Sequence, residues 1–120
     1  MSTQRVLISG AAGGLGRALA FTFAKQGWRV ALCDLDADRL ANTAEQLESM
    51  GAKVLVQPAN VTLDDDWSCL RERCESEWGG LDVLINNAGI ASMAAIHKET
   101  VEHWQRVVDI NLLGVVRGCR

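Results

Sequence analysis

The sequence predicts an α/β domain built on a doubly wound parallel sheet, with about four strands in the order 3-2-1-4 and helices on both faces. Three observations predict it. The strand-like segments are short apolar runs without polar alternation, as expected of strands covered on both faces. Between them lie helical patterns long enough to serve as crossovers. The first strand-to-helix corner, "SGAAGGLG" at residues 9–16, is dense in glycine.

The elements follow in order. Val6-Leu7-Ile8 is the first buried strand. From Leu15 the period changes, and Leu15, Ala18, Leu19 and Thr22 fall on one expected helical face, with Gly27 ending the helix. Val30-Ala31-Leu32-Cys33 is the second strand and stops at Asp34. Asp36 or Asp38 caps a helix reaching about Met50, with Leu40, Ala44 and Leu47 on one face and Gly51 as its stop. Val54-Leu55-Val56 is the third strand, closed by Pro58. Thr62 and Asp65 have the spacing of a capping arrangement for a helix from Leu63 to Trp78, which Gly79 and Gly80 break. Val83-Leu84-Ile85 is the fourth strand and runs into "NNAG"; after a mixed loop, Thr100 caps a long last helix. No linker or repeat divides the chain, so residues 1–120 read as one domain.

Composition narrows the function classes. The 120 residues are 48% hydrophobic with a net charge of −3, and the basic residues are scattered. That argues against a nucleic-acid or anionic-membrane surface. No apolar run approaches a membrane span, and the N-terminus enters a strand with no leader-like region, so a cytoplasmic location is expected. Cys33, Cys69, Cys74 and Cys119 form no Cys-x-x-Cys pair and share no ligand spacing with His97 or His103. They read as reduced thiols, and no metal site is expected.

The glycine corner carries the chemistry. A helix that starts in such a turn aims its free N–H groups and positive dipole end at whatever sits there, which makes an anion site. Ser9, Gly10, Gly13, Gly14, Leu15 and Gly16 are the candidate cradle. Following a strand and opening a helix in a βαβ unit, it reads as a dinucleotide site of Rossmann-like type rather than as glycines serving packing alone. It is not a P-loop, because no Gly-Lys-Ser/Thr follows. Asp34, at the end of the second strand and 18 residues after Gly16, is placed to accept from adenosine ribose hydroxyls and to repel a 2′-phosphate. No Arg or Lys lies within the glycine turn or next to Asp34 in sequence, which favours NAD over NADP. The plainer alternative is that Asp34 caps the next turn, a job Asp36 can also do.

With these pieces together the chain resembles the short-chain dehydrogenase/reductase family, along Arg5 to Arg120 but over only about the first half of the usual domain. Ser9-Gly10-Ala11-Ala12-Gly13-Gly14-Leu15-Gly16 fits the family's Thr-Gly-x-x-x-Gly-x-Gly, with Ser for Thr. Gly10, Gly13 and Gly16 also fit the Gly-x-x-Gly-x-x-Gly of the extended, epimerase-like branch. Asn86-Asn87-Ala88-Gly89 matches the family's Asn-Asn-Ala-Gly and favours the single-domain branch. The resemblance implies that Asn87, Ala88 and Gly89 border the cofactor, and that Asn111 in "DINLLG" is the active-site asparagine. Asn111 lies in an apolar stripe of Val101, Trp104, Val108, Leu112 and Val115. A buried amide there needs a partner, either a neighbouring element or a water of the proton relay. The family often has Asp-Val after the third strand; Asn60-Val61 stands here, so Asn60 and Val61 are weaker candidates for the adenine end.

The resemblance also says what these residues lack. The family moves a hydride between a nicotinamide and an alcohol or carbonyl carbon, using Ser, Tyr-x-x-x-Lys and Asn. The sequence contains no tyrosine, and its lysines are Lys25, Lys53 and Lys98. The 120 residues alone are therefore expected to be inactive, as the cofactor-binding part of an NAD-dependent oxidoreductase acting on a small-molecule alcohol or carbonyl compound. The complete protein is expected to be a homo-oligomer. The alternative is a nucleotide-binding module without chemistry, or a half-enzyme completed by a partner chain.

Overall fold

The computed structural model describes residues 4–87 and 100–119. Four parallel strands, β1 (Arg5–Ser9), β2 (Arg29–Asp34), β3 (Val54–Pro58) and β4 (Val83–Ile85), pair in the order β3-β2-β1-β4. The connections are helices α1 (Gly14–Lys25), α2 (Ala37–Ser49) and α3 (Asp64–Trp78). A last helical stretch comprises α4 (Val101–Val108), a π-helical turn (Asp109–Leu113) and α5 (Gly114–Cys119).

The strands' period of two sorts the core into two layers. Val6, Ile8, Val30 and Leu32 face α1 and α2, where Ala20, Leu40, Ala44 and Leu47 cover them. Leu7, Ala31, Cys33 and Leu55 point the other way, onto Leu70 and Cys74 of α3. All of these are buried, so β1 and β2 are apolar on both faces, as their runs require. Burying Leu40, Leu47 or Leu70 contributes about 1.5–3 kcal/mol each.

Several helix ends follow the sequence. Asp36 caps α2 by accepting from Arg39 N at 3.1 Å, and Thr100 caps α4 by accepting from His103 N at 3.0 Å. Gly79 closes α3 in the left-handed region, with φ of 77°. Three expectations change. The buried side of α1 is Gly16 and Ala20, whereas Leu15 is 66% exposed, because the approach of Gly16 to Gly10 and Asn87 sets the helix's rotation. Thr62 does not cap α3; its N–H and hydroxyl donate to Asn60 Oδ1 at 2.9 and 2.6 Å, and the helix starts at Asp64 without a side-chain cap. The last helix is interrupted by the π-helical turn, and its expected apolar stripe is exposed at Val101 (80%), Trp104, Val108 and Leu112 (58%), with Val115 half-buried. Among described residues of that stretch, Ile110 and Gly114 are the buried ones, and Arg117 anchors it to α3 through an ion pair with Asp64 at 3.3 Å.

At the N-terminal end of the strands Arg5 clamps the β4 side. Its Nε and Nη2 donate to the two carboxylate oxygens of Asp82 at 3.1 and 3.2 Å, and its Nη1 to the Trp78 carbonyl at 2.8 Å. The hydrogen bond from Arg5 holds the Asp82 carboxyl below its ordinary 3.8. A carboxyl depressed on folding stabilises the fold above its unfolded value, and this is lost as pH falls through the lower folded value. Asp82→Asn should therefore lower the melting temperature at neutral pH, with the gap to the unaltered protein closing under acid. Thermal melts across a pH series check this; a gap that stays constant would mean the charge is not what matters.

Candidate functional site

The C-terminal ends of β1, β2 and β4 converge on the glycine corner. Gly10 turns the chain out of β1 at φ 66°, and Gly14 takes φ 59° as α1 begins. Both values lie where an L side chain is strained. Between them Ala11 and Ala12 are buried and tied to β2: Ala11 N donates to the Cys33 carbonyl at 3.2 Å, and Ala12 N to Asp34 Oδ2 at 3.0 Å. Asp34 Oδ1 accepts from Asp36 N at 3.0 Å. The carboxylate thus spans the corner and the start of the β2–α2 turn. From behind, buried Thr43 of α2 donates to the Ala12 and Arg39 carbonyls at 3.5 and 3.2 Å.

The β4 side is stitched to the same corner. Asn87 N donates to Ser9 Oγ at 3.0 Å, and the Ser9 hydroxyl donates to the Ile85 carbonyl at 3.4 Å. Asn87 Nδ2 donates to the Gly10 carbonyl at 3.2 Å. Gly16 packs where these groups meet. A Cβ there would overlap the Gly10 carbonyl oxygen and lie 2.6 Å from Asn87 Nδ2. Glycine is required at 16 by close approach, not by backbone angle.

The result is an open helix N-terminus. Gly13 caps α1 with no side-chain bond, and the first turn carries no acid. By contrast, α2 and α4 have side-chain caps and α3 has three acids in its first turn. The first-turn N–H groups of α1 therefore face outward without a side-chain acceptor, as an anion requires. Nothing lies within 4 Å of where a Cβ on Gly14 would stand, so the backbone is approachable there and the cradle fits a dinucleotide's diphosphate. Leu15, highly exposed, stands at its mouth.

Other expected site residues are placed as follows. Ala59 N donates to the Asp34 carbonyl at 3.0 Å, which sets Asn60 and Val61 beside the β2 end. Asn60 Oδ1 is engaged by Thr62, its N–H by Asp66 Oδ2 at 2.7 Å, and the Val61 carbonyl by Trp67 Nε1 at 3.0 Å. Asn111 lies in the π-helical turn and is exposed, so the expectation of a buried amide does not hold. Ala88 and Gly89 lie outside the described residues. Burial pushes the Cys33 thiol up to about 12, with the nearby Asp34 charge adding to it, so this cysteine is no nucleophile. Among the described residues no His, Cys, Asp and Glu cluster would hold a metal. A cavity of about 470 Å³ lies elsewhere, lined by Leu7, Trp67, Leu70, Leu84 and Arg117.

Sequence reasoning missed two residues. Thr43 sits in the apolar face of α2, where its hydroxyl drew no notice. Arg39, five positions after Asp34, has its guanidinium against Gly13. A basic group therefore does stand at the corner, although none is adjacent in sequence.

This topology and corner define a dinucleotide-binding domain of Rossmann type. The family model described as short chain dehydrogenase matches residues 4–120, and the chain belongs to that family. It is 34% identical over 118 residues to 3beta-hydroxysteroid dehydrogenase 1 of Eggerthella lenta, covering 98% of this chain and 45% of that protein. A short-chain dehydrogenase/reductase from Burkholderia phymatum in complex with NAD superposes with a TM-score of 0.95 at 29% identity, over 99% of this chain and 42% of that one. An alcohol dehydrogenase from Thermococcus sibiricus complexed with 5-hydroxy-NADP gives 0.92 at 27%, over 98% and 50%. The chain thus spans about half the length of the relatives it matches.

Gly16→Ala should cost about 1–3 kcal/mol or more, because backbone must move to admit the methyl group. Gly13→Ala meets only the flexible end of Arg39 and should cost less than about 1 kcal/mol. Urea unfolding of the two variants checks this; equal losses would refute the close-approach account of Gly16.

Proposed function

We propose that this chain is the cofactor-binding part of an NAD-dependent oxidoreductase that moves a hydride between nicotinamide and the alcohol or carbonyl carbon of a small molecule. The observation that carries the reading is the uncapped N-terminus of α1 at a corner tied on one side to Asp34 and on the other to Asn87. In the bound state the first-turn N–H groups of α1 hold the diphosphate. Asp34 accepts from the adenosine ribose and disfavours a 2′-phosphate. Asn60 and Val61 border the adenine, and Asn87 borders the path toward the nicotinamide; the same role proposed for Ala88 and Gly89 falls outside the described residues. A bound nicotinamide supplies or accepts the hydride.

Proton movement needs a group outside these residues. There is no tyrosine. Lys25 ends α1 and Lys53 precedes β3, at the opposite end of the sheet from the corner. Asn111 is assigned to the proton relay, with its exposure leaving it accessible to water or substrate. We therefore read the 120 residues as inactive alone. The absence of tyrosine equally favours a second reading, a module that binds a nucleotide without chemistry.

Free thiols at Cys33, Cys69, Cys74 and Cys119 support a reducing, cytoplasmic setting. Among the described residues no helix is long and apolar enough to cross a membrane. The exposed apolar residues of α4 and the π-helical turn support pairing of copies in the complete protein.

The intact mass of the native protein tests the first reading against the second. A species near twice 13.0 kDa supports the dehydrogenase, and one at 13.0 kDa favours the module. Titration of the native protein with both cofactors should give tighter binding of NAD. Asp34→Ser should narrow the preference by about tenfold, since a repelling charge disappears, while NAD itself binds more weakly. Tighter binding of NADP by the unaltered protein would refute the role given to Asp34.

A further inference from the structure

A second cluster of charge lies at the opposite end of the sheet from the glycine corner. A cavity of about 360 Å³ opens there, where α1 and α2 end. Lys25 ends α1, Arg29 begins β2 and Lys53 precedes β3, and all three line the cavity beside Trp28 and Met50. Among the described residues no acid lines it. The chain as a whole carries a net charge of −3, so this is a local excess of positive charge against the overall balance.

Helix ends explain only part of it. A cation in the last turn complements the helix dipole, and Lys25 stands there in α1. Arg29 has no such duty, because it lies on a strand. The register sets it beside Arg5 of β1, and Lys53 directly precedes Val54, the partner of Val30, so a cation stands on either side. Asp82 is committed to Arg5 through both carboxylate oxygens. Arg29 Nε is shielded from solvent without a hydrogen-bond partner, and among the described residues Lys25, Arg29 and Lys53 form no ion pair. A shielded guanidinium nitrogen without an acceptor is unfavourable, and like charges alongside add to it. The helix ends offer little relief. Gly27 N donates to the Ala24 carbonyl at 3.1 Å and Gly51 N to the Glu48 carbonyl at 2.9 Å, which turns these carbonyls back into their own helices.

We infer that this cavity is a second anion site, separate from the glycine corner, which takes a phosphate group carrying two or more negative charges, free or on a small molecule. Three cations exceed what one carboxylate would offset, and guanidinium and ammonium groups both donate to phosphate oxygens. The volume sits at the small end of ligand pockets, which suits a small molecule. Arg29 and Asp34 are the first and last residues of β2, about 16 Å of strand apart, so the cavity and the corner can be filled at the same time.

The test is an NMR titration of the complete protein, following amide and indole signals as inorganic pyrophosphate is added at an ionic strength held constant with sodium chloride. The Gly27 and Gly51 amides and the Trp28 indole should shift saturably. Arg29→Gln and, separately, Lys53→Gln should each weaken that response by about tenfold, in line with loss of a charge-assisted bond, and leave the shifts that NAD causes at Gly14 unchanged. Lys53 is exposed, so its variant reads the site even if Arg29→Gln does not fold. Phenyl phosphate as a second probe separates the two sources: saturation by either supports the site, and the tighter of the two tells whether the phosphate arrives free or as an ester. Absence of a saturable shift at Gly27 and Gly51 with both probes would overturn the inference, as would shifts that survive both substitutions. Shifts at Gly13 and Gly14 alone would put the anion at the glycine corner, supporting the diphosphate cradle and overturning the second site.

Discussion

The cofactor end of this domain depends on one close approach, the contact of Gly16 in α1 with the Gly10 carbonyl and the Asn87 amide. Three segments meet there with no room for a methyl group. The contact fixes how α1 is rotated, which is why Gly16 and Ala20 face inward and Leu15 faces out. It also brings β4's end onto the corner, because Asn87 reaches Gly10 with its side chain and Ser9 with its backbone. An anion site made of helix N–H groups works only if the helix stays put when charge arrives. Gly16 supplies that rigidity by packing, so no cap has to block the N–H groups.

The structural duty of Asp34 does not conflict with the role proposed for it. Its oxygens accept from Ala12 N and Asp36 N, which pins the corner to β2 and starts the next turn. Neutral donors do not cancel its charge, so these bonds are compatible with the role proposed for the carboxylate toward a ribose. Dual use has a consequence for mutagenesis. Any replacement that removes the carboxylate also loosens the corner, because the Ala12 and Asp36 N–H groups lose their acceptor.

Much of this was legible in the sequence because it is local. Unbroken apolar runs marked β1 to β4, Gly27, Gly51 and Gly79 marked helix ends, and Asp36 and Thr100 marked caps. The strand order and the glycine corner followed. What escaped reading is set by contacts between segments distant in sequence. Leu15, Ala18 and Thr22 look like a buried stripe until Gly16's contact decides the rotation. Thr62 looks like a cap until Asn60 takes its hydroxyl. Arg39 looks remote from residue 13 until α2 folds back and lays its side chain there. The periodicity of the last helix misled for a related reason, since it assumes an unbroken period of 3.6.

That broken period bears on Asn111. A π-helical turn admits one extra residue, so the helix beyond it is rotated relative to the helix before it. After the turn Gly114 faces Val61, and a Cβ at 114 would lie 3.0 Å from Val61 Cγ2. Val61 follows Asn60 and Ala59, and Ala59 N is bonded to the Asp34 carbonyl. A chain of contacts thus links the turn carrying Asn111 to the strand ends where the cofactor cradle lies. An unbroken helix would present a different residue to Val61 and would carry Asn111 within a regular apolar stripe. The extra residue instead leaves Asn111 exposed while glycine packing holds the turn in place, the combination a side chain needs if it is to meet water or substrate from a fixed position.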